Sequence, residues 1–593
     1  MSVGPSPAFL QALQAYKQGD LRACLDRLHP LLKKRPPDAN MLLVAAQCHA
    51  KLEEKLQAAE LYARVADVQP QNRRMFLLMA ARLYMQIDQG EQALSLIRKV
   101  PESQNLESQN LESQHLASLD PEEQRTYRRL LRGQLCLEEI EASDHALVAA
   151  MRDGTNPAFF NIDDPYQHML WCDDEAINGR QTRMASGKPF TEQSRQARRS
   201  LPHHFGKKIR VGYLSSDFSD QHPTMRLLQS VLLGHDPARF EIHLFCHTPE
   251  DIRGLDRGLR QTYPNLHDIL RMDDGTARDF IRSFDLDILV DLKGHTKDVR
   301  ADLINSGLAR LQVAYLGFPG SAYGIDCDYV ISDPIVTPDS SKPHYHEKLC
   351  RLPETYQAND NRYRPHPPAT SRSLLDLPKD AFVLASFNMV RKISPQTARL
   401  WARMLDAIPS SILWVLCAGR EQRDRLTAFM TGCGIDRSRL YFTGAESYAP
   451  HIVRMQAADL GLDTYPYNGH TTTSDKLWAG LPVITFKGRN FASRVSESLL
   501  TALGVPQLVA ETPDDMVRLA ADLAQDRPRL AALRQTIANN RLRAPLFDTQ
   551  RFTRHLEHAF ELMVEREKAG LEPDHIDVPA LPIRQGSFRQ DMD

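Results

Sequence analysis

Residues 467–480 read Tyr467-Asn468-Gly469-His470-Thr471-Thr472-Thr473-Ser474-Asp475-Lys476-Leu477-Trp478-Ala479-Gly480. The run follows an apolar, strand-like stretch and opens a helix-like one. Three consecutive threonines at a helix start offer hydroxyls and free backbone N–H groups to an anion. His470 adds a flat ring. Asp475 sits one turn in, placed to accept hydrogen bonds from a sugar diol. Glycine, hydroxyls, ring and carboxylate together point to a nucleotide diphosphate. The plain alternative is a capped helix after a Tyr-Asn-Gly turn.

Outward from this run, strand-like text recurs at 382–387, 412–417, 440–443, 460–463 and 483–486. A matching set lies at 209–216, 240–245, 287–292 and 313–317. Helical stretches separate the strands, as in parallel α/β sheets. Pro365-His366-Pro367-Pro368 marks a linker between the two sets. The reading is two Rossmann-like units facing a cleft, 207–375 and 376–569, with a tail at 570–593.

The first hundred residues repeat instead. Ala12, Ala46 and Ala80 lie 34 apart, as do Pro36 and Pro70, and Leu25, Ala59 and Ala93 keep the register. Small residues at fixed points let paired helices approach closely, and the prolines end each pair. The period resembles tetratricopeptide repeats over 1–101, with a shorter third unit ending at Pro101. A helical bundle without repeats is the plain alternative. Residues 102–206 read as a low-complexity and mixed linker region. In it Glu102-Ser103-Gln104-Asn105-Leu106 recurs almost three times to Leu116, and helical text resumes from Pro121 to about Arg152. Phe159, Phe160 and Trp171 are large enough to anchor a domain seam.

The 593 residues carry a net charge of −2 and are 42% hydrophobic. That length allows about three or four domains. So small a charge supplies no field for nucleic acid or a membrane surface. Nine cysteines are scattered without a C-x-x-C pair, as expected of reduced thiols in a cytoplasm. No basic-then-apolar leader follows Met1, and no apolar run approaches the ~20 residues of a membrane helix.

In this order the pieces resemble the O-linked N-acetylglucosamine transferase and SPINDLY family. The first half contributes Val211-Gly212-Tyr213-Leu214-Ser215-Ser216-Asp217-Phe218 with His222-Pro223, Leu289-Val290-Asp291-Leu292-Lys293-Gly294-His295-Thr296, and Leu316-Gly317-Phe318-Pro319-Gly320. The second contributes Ser386-Phe387-Asn388 with Lys392-Ile393, Asn468-Gly469-His470-Thr471-Thr472, Leu477-Trp478-Ala479-Gly480-Leu481-Pro482 and Ala492-Ser493-Arg494-Val495. The resemblance covers about 207–565. It implies a fold of helical repeats followed by a two-Rossmann-domain glycosyltransferase-B region, α plus α/β. It also implies a nucleotide-sugar co-substrate held mainly by the second half, and inversion at the anomeric carbon with no cofactor and no metal. Two Asp-x-Asp triplets, Asp285-Leu286-Asp287 and Asp326-Cys327-Asp328, lie in the first half, away from the phosphate run.

The same resemblance implies roles. Lys392 binds the diphosphate, and Thr471 and Thr472 are the phosphate-binding pair. His470 lies against the base, Asp475 binds the ribose, and His451 and Arg454 cradle the nucleoside. His222 stands beside sugar and acceptor, where a neutral imidazole takes the acceptor proton. His295, at a strand's carboxyl end, is a second catalytic candidate, with Asp291 among the substrate-binding residues. Gly320 lets backbone approach the sugar. Plain alternatives are a surface lysine at 392, a helix cap at His451 and a structural histidine at 295. The sequence leaves the identity of the general base open.

There are departures. Met389 stands where the family's glucosamine transferases often carry Gln, and Tyr448 where they carry a lysine near the nucleoside. His470 and Asp475, which the fucosyl branch lacks, favour uridine. The implied function is transfer of N-acetylglucosamine from UDP-GlcNAc to Ser or Thr of a protein recruited by the repeats. The alternatives are fucose from GDP-fucose, transfer to flagellin or asparagine, and an inactive repeat scaffold.

Overall fold

The computed structural model describes residues 6–33, 38–100, 119–154, 157–185, 190–582, 584 and 586–588. Pro36, Pro101 and the 102–116 repeat lie outside the described residues. The chain divides into two compact bodies, Met1–Leu147 with Arg420–Arg425, and Val148–Gly419 with Leu426–Asp593.

The first body is a run of antiparallel helix pairs: α1 (Pro7–Lys17), α2 (Leu21–Leu32), α3 (Ala39–Lys51), α4 (Lys55–Val68), α5 (Arg73–Gln86) and α6 (Gly90–Ile97). Ser6, Asp20 and Asp38 cap the first three by accepting backbone N–H bonds. The alanines of the 34-residue register, Ala12, Ala46, Ala80, Ala59 and Ala93, are all fully buried. With only a methyl group at these crossings, neighbouring helices pack close. The apolar core does not stop at residue 101. Leu119, Tyr127, Leu130, Leu131, Cys136 and Ile140 belong to the same cluster. The expectation of one linker region over 102–206 is therefore corrected. The helix Pro121–Gly133 packs on α6, and its Arg128 and Arg132 pair with Asp144 on the following helix, Leu137–Asp153.

The second body holds two parallel sheets. The first sheet contains β1 (Ile209–Ser215), β2 (Phe240–Cys246), β3 (Leu266–Asp268), β4 (Ile288–Asp291), β5 (Leu311–Ala314), β6 (Tyr329–Ser332) and β7 (Lys348–Arg351). The second contains β8 (Phe382–Ser386), β9 (Ser411–Leu416), β10 (Leu440–Thr443), β11 (Leu460–Leu462), β12 (Val483–Phe486) and β13 (Val509–Ala510). Strand order is β3-β2-β1-β4-β5-β6-β7 in the first and β10-β9-β8-β11-β12-β13 in the second. Each is the doubly wound order, reversing direction between its first and fourth strands. The strands are buried on both faces, which is why they read as continuous apolar runs.

Two connections were not legible from local pattern. The helix Thr549–Lys568 returns to the first sheet's layer and packs on the helix Pro223–Gly234. There Glu557 accepts from the Asp236 N–H at 2.7 Å and lies 3.3 Å from His235. Residues Ile576–Asp577 form β14 on the edge of β7. The boundary drawn at 569 thus cuts through a segment that belongs with the first sheet. Residues 160–185 and 190–199 tie to both sheets. Asp173 accepts from the Tyr465 hydroxyl at 2.7 Å, while Arg195 and Arg198 pair with Asp326 and Asp328.

Candidate active site

In doubly wound sheets a ligand crevice opens beyond the strands' carboxyl ends, where the winding reverses. For the first sheet that point lies between β1 and β4, and the loops after them carry Asp217 and His222, and Lys293 and His295. For the second it lies between β8 and β11, and the loops after them carry Asn388 and Lys392, and the run from Asp463 to Thr472.

Lys392 ends a short turn after β8 and is buried. Its ammonium donates to the Asn468 carbonyl at 2.7 Å and lies 4.1 Å from the Tyr467 ring centroid. It has no ion pair among the described residues. Burial pushes it down to about 7, although the Asp463 carboxylate favours the charge. The surface-lysine alternative is excluded by this burial. The helix Thr471–Trp478 starts beside it. Its first backbone bond runs from the Ser474 N–H to the His470 carbonyl, so the N–H groups of Thr471, Thr472 and Thr473 precede the helix ladder. The Thr472 hydroxyl donates to Asn388 Oδ1, and Asn388 Nδ2 is buried without a hydrogen-bond partner among the described residues. A Cβ on Gly469 would stand 2.5–2.8 Å from the Thr473 and Thr472 hydroxyls and Asn388 Oδ1, so only glycine fits there. Asp463 Oδ1 fixes this loop by accepting the Gly469 N–H at 2.7 Å.

His470 sits at this end of the site. Its ring stacks on Tyr467 at 4.8 Å, and burial, then the nearby Lys392 charge, holds it well below its ordinary range. Its Nε2 also lies 3.4 Å from the Ala492 carbonyl.

The nucleoside candidates gather on the helix Tyr448–Met455 and inside the Thr471–Trp478 helix. Asp475 Oδ1 accepts from the Tyr448 hydroxyl at 2.9 Å, and Arg364 lies 3.6 Å from the same oxygen. Burial raises the Asp475 carboxyl, opposed by Arg364 and the Tyr448 bond. His451 Nδ1 accepts from Arg454 Nε at 3.0 Å and from its terminal nitrogen at 2.6 Å. Burial and that guanidinium hold His451 down to about 3; it lies inside the helix Tyr448–Met455, whose N-cap position is Ser447, so it is not a helix cap.

In the first half, His222 caps the Pro223–Gly234 helix: its Nδ1 accepts the Thr224 N–H at 3.3 Å and stands 3.6 Å from Asp217 Oδ2. Burial lowers its pKa, countered by Asp217. Nδ1 cannot serve both partners at once. With the Thr224 bond the ring proton is on Nε2; a swing toward Asp217 moves it to Nδ1 and frees Nε2 as a base. Asp217 is itself held by Lys293 Nζ at 2.5 Å. The two residues follow adjacent strands, β1 and β4, and so meet although 76 positions apart.

Two expectations are corrected. Asp291 accepts the N–H groups of Lys293 and Gly294 at 2.9 and 2.8 Å and is fully enclosed. Its oxygens are spent on shaping the loop rather than turned to open space; burial raises it to about 6. At Gly320 the space a Cβ would take is closed by the Phe318 ring at 3.1 Å and by Met169 at 3.4–3.5 Å, so this glycine serves packing. His295 Nε2 donates to the Tyr323 carbonyl at 2.8 Å. A carbonyl only accepts, so Nε2 carries the proton. Burial holds it down to about 4. Both Asp-x-Asp triplets are engaged by cations: Asp285 and Asp287 by Arg210, with the His203 ring also bonded to both, and Asp326 and Asp328 by Arg198. Among the described residues no cluster of three metal-ligating side chains occurs, and no helix is long and apolar enough to cross a membrane.

The family model described as glycosyl transferase family 41 matches residues 190–367 and 361–556. An Arabidopsis thaliana relative, described as a probable UDP-N-acetylglucosamine–peptide N-acetylglucosaminyltransferase SEC, is 32% identical over 378 residues, 63% of this chain and 39% of that one. The Caenorhabditis elegans UDP-N-acetylglucosamine–peptide N-acetylglucosaminyltransferase is 26% identical over 483 residues, 63% of this chain and 42% of its own length. The chain thus spans about two fifths of the length of these relatives. A solved lysine-to-methionine mutant of the Thermobaculum terrenum O-GlcNAc transferase superposes with a TM-score of 0.64 at 22% identity. The match covers 95% of this chain and 98% of that one. At that identity the likeness shows a shared fold.

Proposed function

Because the chain belongs to glycosyl transferase family 41, we propose that it transfers N-acetylglucosamine from UDP-GlcNAc to Ser or Thr hydroxyls of a protein. The transfer inverts the anomeric carbon and uses neither metal nor other cofactor, and the acceptor is recruited by the helical repeats. The observation that carries this reading is Lys392. A buried ammonium without an ion-pair partner is costly, and an anion beside it repays that cost. The N-terminus of the Thr471–Trp478 helix, the Thr472 hydroxyl and the unpartnered Asn388 Nδ2 surround the same space.

In this mechanism the acceptor hydroxyl attacks the anomeric carbon from the face opposite the nucleotide. The leaving diphosphate gains charge, which Lys392 and the helix N-terminus stabilise. His222 takes the acceptor proton once Asp217 holds Nδ1–H. The engagement of both Asp-x-Asp triplets by cations supports a site that works without a metal. The relatives' printed names support the sugar, the nucleotide and a peptide acceptor.

A panel of UDP- and GDP-sugars, read by donor hydrolysis and by nucleotide-induced thermal shift, tests the reading. UDP-GlcNAc turnover that falls about 10²- to 10³-fold in Lys392→Ala supports it. Turnover of GDP-fucose alone redirects the donor, and no binding of any nucleotide favours the scaffold.

A further inference from the structure

The first half also reaches into the nucleoside end of the site. Arg226 lies one turn beyond His222, and its N–H bonds to the His222 carbonyl at 3.1 Å. Its guanidinium crosses to the second half and lies 4.1 Å from the centroid of the Tyr448 ring. Its charge acts on His222, His451 and Asp475 alike, which places it among them. Arg226 Nε is buried and has no hydrogen-bond partner among the described residues.

We propose that Arg226 is a nucleoside-binding residue contributed across the cleft by the first half, donating to the carbonyl oxygens of the donor's base. This rests on the nucleotide-sugar reading above. A guanidinium is a planar fork, and stacking one face on Tyr448 fixes the plane in which its N–H groups point. A buried donor left unpaired is costly, and a carbonyl acceptor removes that cost. Uracil offers two carbonyl acceptors, whereas guanine's Watson–Crick edge turns two donors toward the fork. Guanine's other edge carries the acceptor pair O6 and N7, so the donor is read by the nucleotide comparison below.

The test measures affinities of UDP, UMP, GDP and inorganic pyrophosphate for the full chain and for Arg226→Ala, Arg226→Lys and Arg226→Gln. Loss of UDP and UMP affinity by roughly 10- to 100-fold in all three is expected, with pyrophosphate unchanged. A general electrostatic role predicts instead that lysine rescues and that pyrophosphate weakens equally; either result overturns the inference. So does unchanged UDP affinity in Arg226→Ala. A parent protein that binds neither UDP nor GDP overturns the nucleotide reading and this inference with it. A parent that binds UDP, with variants that bind it equally, overturns this inference alone. Three substitutions of different size guard against one that fails to fold.

Discussion

UDP affinity should fall with rising pH above neutrality because of Lys392. In the free protein its ammonium is held near 7, against an ordinary value of 10.5, chiefly by burial. A diphosphate beside it restores the charged form. The complex then binds more protons than the free protein throughout the window between those values. By linkage the apparent Kd rises about tenfold per pH unit in that window. Between about pH 7.5 and pH 8.5 the loss is about 1.4 kcal/mol of binding free energy. Folding has the opposite sign: the unfolded chain binds the extra proton, so the free protein gains stability as pH rises from about 7. The nucleotide's own phosphate titrates near 6 and does not enter this range.

Isothermal calorimetry in two buffers of different ionisation heat measures the proton directly. About one proton should be taken up per UDP at about pH 8. Lys476, held at about 8 and bonded to the Leu462 carbonyl, titrates nearby. Lys392→Ala retains it, so the slope that disappears in that variant belongs to Lys392. Affinity that stays flat between about pH 7 and pH 9, with no proton uptake, refutes the reasoning.

Four further outcomes are expected. Donor turnover should persist in excess EDTA; strict dependence on added Mg²⁺ or Mn²⁺ would defeat the metal-free reading. Asp217→Asn should slow transfer by roughly 10²- to 10⁴-fold while UDP affinity holds, because His222 loses the group that frees its Nε2; an unchanged rate removes His222 as base. Ala80→Leu should destabilise the repeat body by about 1–3 kcal/mol, read by calorimetric melting, with UDP binding intact. A chain starting at residue 102 should aggregate, since Leu119, Tyr127 and Leu131 lose their core; one starting at Val148 should bind UDP but lose transfer to its protein acceptor.

The sequence and the structure agree where local pattern is enough. The alanine register reports helix crossings because a methyl group is the only side chain that fits them. The run from Asn468 to Thr472 reports a helix start because hydroxyls and glycine are what such a start needs. Burial of Lys392 was not legible, since nothing beside it in sequence shows that Asn468 and Tyr467 close over it. Asp291 was misread for a related reason. A carboxylate at a strand's end is placed to meet a ligand, yet its own loop turned two N–H groups onto it first. The return of Thr549–Lys568 to the first sheet left no local sign, because His235 and Glu557 meet from more than 300 residues apart. The Asp217–Lys293 pair and the Arg226–Tyr448 stack share that character. Both join segments whose nearness depends on strand order and on how two sheets face each other. Periodicity reports what each segment buries; it carries no information on which loops a sheet's winding brings together. The residues proposed to place the proton and to bind the base lie on those junctions, so they emerge only once the two switch points are built.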